Sequence, residues 1–132
     1  MKELLDRLGL IARISGGSWE PMLREADTLE LARSGDARIA VAGHGEIIRT
    51  APKELARALH ELAIVVMRHG AVDRVTWQVA GRTLELEPLP AAAAAVVGGE
   101  EPKDLEELAA RLVVEALGGS LAVDGDALRV VV

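Results

Sequence analysis

A chain of 132 residues, half of them apolar and 27% charged, fits a single domain of a size that buries roughly two thirds of the surface its unfolded chain exposes. Fifteen basic against twenty-one acidic residues give a net charge of −6, which works against attraction to nucleic-acid phosphates. The longest apolar runs, Leu62 to Met67 and Ala91 to Val97, fall far short of the roughly 20 residues of a membrane span, so neither nucleic acid nor membrane is an expected partner. Acidic residues interrupt the apolar ones in the opening Met1-Lys-Glu-Leu-Leu-Asp-Arg7, which therefore does not read as a signal peptide and suggests a cytoplasmic protein. The absence of cysteine excludes a disulfide framework, a thiolate metal site and a thiol nucleophile.

From Met1 to Arg13, Leu4, Leu5, Leu8, Ile11 and Ala12 recur at three- and four-residue intervals. That is one apolar stripe on a helix, with Gly16-Gly17 as its stop. A second helix is expected from Pro21 to about Arg33, ended by Ser34-Gly35. Ala37 to Ala42 and Glu46 to Thr50, joined by Gly43-His44-Gly45, read as a hairpin. Pro52 to His69 carries Leu55, Leu59, Leu62 and Val66 at helical spacing, with Thr50 or Ala51 to cap it and Gly70 to close it. Val75, Trp77 and Val79 then alternate with polar residues, and after Gly81-Arg82 the alternation resumes through Leu84 and Leu86 until Pro88, which gives two strands with one buried face.

Pro88 to Lys103, with its alanine run and Gly98-Gly99, reads as a partly packed connector whose conformation the pattern does not define. Asp104 followed by Glu107 resembles a capping box and opens a helix with Leu105, Leu108, Ala109, Leu112 and Ala116 along one side. Gly118-Gly119 ends it, and a closing hairpin sets Leu121 and Val123 against Leu128, Val130 and Val132 across a turn at Asp124-Gly125.

The order helix, two strands, connector, helix and hairpin is similar to the Bergerat (GHKL) ATP-binding fold shared by histidine kinases, gyrase and Hsp90. Pro52-Lys-Glu-Leu-Ala-Arg-Ala-Leu-His-Glu-Leu-Ala-Ile-Val-Val-Met-Arg-His-Gly70 resembles the kinase helix that carries the asparagine box. Ile47 to Leu55 resembles the strand and turn leading into it, and Val113 to Leu121 resembles the exit of the last helix. The likeness covers about Ala37 to Val132, and Leu4 to Arg33 more weakly resembles the end of a kinase dimerisation helix plus the first ATPase helix. It implies an α+β two-layer sandwich with a mixed, mostly antiparallel sheet and helices on one face. Residues 1–15 would be a short N-terminal helix and residues 16–132 the ATPase-like domain.

The same resemblance implies that nucleotide chemistry is missing. The chain has no asparagine, and the family's magnesium-binding asparagine falls at Val65, with a nearby polar position of that box at Glu61. Valine offers no ligand atom. Where the adenine-reading aspartate and its glycines should follow the strand, the chain has Pro88-Leu-Pro90-Ala-Ala92. Glu87 is one residue away but should face the other side of the sheet. The glycine-rich phosphate segment falls at Asp104-Leu-Glu106-Glu107, where carboxylates would repel phosphates.

Histidines 44, 60 and 69 lie in separate contexts without metal-ligand spacing. His44 reads as a turn residue, His60 as a helix-face residue, and His69 as a cation near the negative end of a helix dipole. Trp77 belongs to the core, whereas Trp19 is either a packing plug or an exposed contact. These readings lead to a non-catalytic, kinase-like module without cofactor or metal, an adaptor or regulator acting through a protein partner. The stripe of Leu4, Leu5, Leu8 and Ile11, on a helix of about three turns that is too short to be stable alone, must dock either on its own domain or on a second copy, and self-association is the more economical expectation. Two alternatives stay open, a cryptic phosphotransfer enzyme using a histidine and a sensor of a small ligand in a remodelled pocket.

Overall fold

The computed structural model describes residues 2–100 and 103–132, with side chains from Leu4 onward. The elements in chain order are α1 (Lys2–Ser15), β1 (Arg24–Asp27), α2 (Thr28–Ala32), β2 (Ile39–Gly45), β3 (Ile47–Thr50), α3 (Pro52–Gly70), β4 (Val75–Gly81), β5 (Thr83–Glu87), α4 (Ala91–Val97), α5 (Leu105–Ala116), β6 (Ser120–Asp124) and β7 (Ala127–Val131). A five-stranded sheet runs in the order β2-β4-β5-β7-β6, and β1 pairs with β3 in a separate two-stranded ribbon. Only β2 and β4 are parallel; the other pairs are antiparallel. Helices α3, α4 and α5 pack together over one sheet face, the expected α+β two-layer arrangement.

The core follows from strand alternation and helical periodicity. Val75, Trp77 and Val79 of β4, Leu84 and Leu86 of β5 and Leu128 and Val130 of β7 all point inward. They meet Leu55, Leu59, Leu62 and Val66 of α3. Each such side chain contributes about 1.5–3 kcal/mol when fully removed from water. Glu87 lies exposed on the opposite sheet face, as alternation requires.

Several local expectations are corrected. Pro21 does not open a helix: the chain stays extended through β1, because Arg24 to Asp27 pair in register with Thr50 to Ile47. Only five residues coil afterwards, with the Asp27 carboxylate accepting from the Leu29 amide at 2.8 Å. Strands β2 and β3 do not form a hairpin. β2 continues through Gly43-His44-Gly45 alongside β4, so His44 sits opposite Ala80 as an exposed strand residue rather than in a turn. Gly43 permits this with φ +109°, because a Cβ there would lie 2.0 Å from the Val79 carbonyl oxygen. Thr28 joins ribbon to sheet, its hydroxyl donating to the Gly81 carbonyl at 2.6 Å and accepting from the Glu46 amide at 3.0 Å.

The connector after β5 contains helix α4, in keeping with the high helix propensity of its alanines. The apolar side of α5 is also displaced from the expected one. Ala109, Ala110, Val113 and Val114 are buried, while Leu108 and Ala116 are exposed and Leu105 and Leu112 half-buried. Small residues there let α5 approach α3 closely. Helix α3 is the one expected, but it starts at Pro52 after an Ala51 cap without a side-chain bond, and it continues through Gly70 to a left-handed Ala71 (φ 53°).

Candidate functional site

Helix α3 places Glu61, Val65, Arg68 and His69 at intervals of four, three and one residues, so they share a face. Around the C-terminal half of that face the structure gathers the segments where nucleotide motifs would fall. Val65 is fully buried. The chain leaves β5 through an exposed Pro88, Leu89 turns inward and donates its amide to the Asp126 carbonyl at 2.8 Å, and Pro90 caps α4. Ala93, Val96 and Val97 of α4 are buried in the same core cluster as Val65. The contact is close enough that a Cβ on Gly70 would lie 2.9 Å from the Pro90 ring and 3.4 Å from Ala93. Pro90 rather than Pro88 therefore abuts α3.

The far end of α4 is tied to α5. Arg111 donates to the Val97 carbonyl and, at 2.5 and 2.8 Å, to the buried Glu107 carboxylate four residues earlier. Burial pushes the Glu107 carboxyl up, and Arg111 acts against that shift. Glu107 thus serves this clamp and not the reciprocal half of a capping box.

Asp104 occupies the N-terminus of α5. One carboxylate oxygen accepts from the amides of Glu106 and Glu107 at 2.9 and 3.1 Å, a true N-cap. The other accepts from Arg68 at 2.5 Å and contacts His69 Nε2 at 2.8 Å. Burial pushes the Asp104 carboxyl up, but the bonds from His69, Arg68 and the Glu107 amide together prevail and hold its pKa at about 2. Glu106 lies 3.5 Å from the same Arg68, so the carboxylates expected to repel phosphate are here neutralised within the chain.

Glu61 belongs to a second cluster. Its buried carboxylate accepts from Arg7 of α1 at 2.6 Å and from Arg57 at 3.0 Å. An open cleft of about 660 Å³ lined by Asp6, Arg7, His60, Glu61, Ile64 and Glu106 links the two clusters. Helix α1 lies in the seam between α3 and α5. It docks through Arg7, Leu10 and Ile14, whereas Leu4, Leu5 and Leu8 point away and are 44, 60 and 46% exposed. Ile11 is half-buried. Trp19 packs partly against the core beside α1, and Trp77 is fully buried.

Neither Arg7–Glu61 nor Arg68/His69–Asp104 is signalled by the sequence, since the partners lie 54 and about 35 residues apart. The four-residue spacings Arg57–Glu61 and Glu107–Arg111 are the available cues. The three histidines stay far apart in role, His44 on a strand, His60 on the side of α3 and His69 against Asp104. Among the described residues no group of three or more His, Asp or Glu is placed to hold a metal ion.

No family model matches the sequence, nor does any curated protein. Solved structures do. The histidine kinase AdeS of Acinetobacter baumannii superposes with a TM-score of 0.66 at 12% identity, covering 98% of this chain and 75% of that one. The ATP-binding domain of PrrB from Mycobacterium tuberculosis gives 0.62 at 16% identity over 83% and 95%. The cytoplasmic segment of the histidine kinase QseC gives 0.62 at 11% over 96% and 86%. The chain therefore has the fold of a histidine-kinase ATP-binding domain, the Bergerat fold.

Proposed function

We propose that this chain is a histidine-kinase-like domain that has given up nucleotide chemistry and acts as an adaptor or regulator through protein contacts in signal transduction. One observation carries the reading. The segment between β5 and α5, where the resemblance puts base and phosphate contacts, is folded into α4 and packed with Ala93, Val96 and Val97 into the core that contains Val65. Magnesium and a nucleotide do not fit these residues. Val65 supplies no oxygen, Pro90 and Ala93 crowd the end of α3, and the Asp104 carboxylate already accepts the α5 amides and the cations that phosphate would need.

Protein contact is favoured by what α1 presents. Leu4, Leu5 and Leu8 form an exposed apolar stripe on the outermost helix, which suits pairing of residues 1–15 with those of a second copy while residues 16–132 remain the kinase-like body. Among the described residues no helix is long and apolar enough to cross a membrane. The test is thermal melting with magnesium and millimolar ATP: the expected outcome is an unchanged midpoint, and a rise of several degrees would end this reading.

A further inference from the structure

Helix α1 is held on the domain in an unusual way. The face it turns inward is its less apolar one, and Arg7, Leu10 and Ile14 are only half-buried there. Leu4, Leu5 and Leu8 are largely exposed and lie outside the core cluster. Unfilled space remains along the contact: a crevice of about 60 Å³ beneath Leu10, bounded by Ala58, Ala110 and Val113, and a cleft of about 370 Å³ beside Gly9 and Trp19. The strongest link is ionic, from Arg7 to the buried Glu61. The helix is followed by Gly16-Gly17, with Gly17 at φ +75°, where the chain can turn without steric cost.

The groove under α1 has a defined chemistry. Its floor is made of small apolar side chains, Ala58, Ala109, Ala110 and Val113, and Glu54, Glu61 and Glu106 contribute carboxylates to its walls. Glu61 is the discriminating group. When Arg7 leaves, Glu61 keeps only the half-exposed Arg57, and an under-paired buried carboxylate is costly, so the groove favours an occupant that brings a cation to that point. Close packing is less demanding, since the existing occupant leaves gaps.

We propose that the groove between α3 and α5 is a helix-binding site, that α1 is its resident occupant in cis, and that the partner it fits is an amphipathic helix of another protein. That helix carries an arginine or lysine followed by apolar residues three and seven positions later, the pattern of Arg7, Leu10 and Ile14. This inference rests on the reading of the chain as a protein-contact module, and it names the surface and the partner chemistry. Docked α1 competes with the incoming helix, so the apparent affinity scales with the fraction of molecules whose arm is released.

The test uses the full chain and a labelled synthetic peptide of residues 1–17, followed by fluorescence anisotropy. Arg7→Glu in the chain should release the arm, and the wild-type peptide should bind that variant at least about tenfold more tightly than it binds the wild-type chain. A chain with Glu61→Arg should reject the wild-type peptide and accept one carrying Arg7→Glu. Equal binding of both peptides to both variants overturns the proposal, as does failure of the wild-type peptide to bind a folded Arg7→Glu chain. If Arg7→Glu unfolds the domain while Arg7→Glu combined with Glu61→Arg folds normally, α1 is a permanent part of the core and the proposal also fails. Titration of ATP into the wild-type chain is a separate arm. Nucleotide binding would end the reading of a lost site without touching the peptide result, and peptide failure without nucleotide binding would remove this inference alone.

Discussion

Asp104 caps α5 and holds Arg68 and His69 with the same carboxylate, and its removal has a calculable cost. Its pKa of about 2 against 3.8 for an unperturbed aspartate corresponds to about 2 kcal/mol of folding stability at neutral pH. The side chain is 8% exposed, but its partner Arg68 is 47% exposed, so solvent screening reduces this figure to about 1–2 kcal/mol. Asparagine caps a helix about as well as aspartate but carries no charge. Asp104→Asn should therefore cost about 1–2 kcal/mol at pH 7, and Asp104→Ala, which also loses the cap, about 2–3 kcal/mol. In urea the first corresponds to a midpoint lower by roughly 1 M.

The sign of the pH dependence follows from the depressed pKa. The contribution is complete well above the unfolded value near 4 and is lost as pH falls through about 2. The gap between wild type and Asp104→Asn should therefore shrink to roughly half by pH 3. Urea titrations of both proteins across that range provide the measurement. A gap under about 0.5 kcal/mol at pH 7, or one that ignores pH, would show that His69 and Arg68 do not hold this carboxylate as described.

Other substitutions probe neighbouring claims. Val65→Asn places an amide in a fully buried apolar site and should destabilise by about 3 kcal/mol, measured by denaturation, without creating affinity for ATP; measurable nucleotide binding in that variant would show a more intact pocket. Gly70→Ala should cost about 1 kcal/mol net, because the new methyl meets the Pro90 ring at 2.9 Å and overpacking outweighs the gain in helix propensity; a stabilised variant would mean that α4 moves freely. Leu8→Asp should leave circular dichroism and stability within about 0.5 kcal/mol of wild type and abolish self-association in light scattering. A wild type already monomeric at high concentration, or an unfolded Leu8→Asp, would remove the pairing of α1.

The fold was legible where periodicity was long and unambiguous. Nineteen residues of α3 and the alternation through Trp77 and Leu86 leave little freedom, and the closing hairpin is fixed by its turn and by Leu121 opposite Val130. Short segments were not legible. Four residues of β1 become a strand only because β3 lies beside them, and the pause at Gly43-His44-Gly45 looks like a turn unless one knows that Val79 approaches Gly43. The site was half legible. Composition shows that the chain has no asparagine, but the cations that Asp104 draws from Arg68 and His69 and that Glu61 draws from Arg7 come through tertiary packing that no local pattern encodes. The stripe of Leu4, Leu5, Leu8 and Ile11 is legible from its spacing, but the side that docks is not: Leu4, Leu5 and Leu8 are exposed, Ile11 is half-buried, and Arg7 reaches Glu61.

If α4 and Asp104 have taken the place of nucleotide, as proposed, the melting temperature of the wild-type chain should not respond to magnesium and ATP. A ligand present at 100 times its dissociation constant stabilises a protein by about 2.7 kcal/mol, which for a chain of this size is a rise of several degrees. The account predicts no shift in millimolar ATP; a reproducible rise of that size, lost when magnesium is removed, would contradict it.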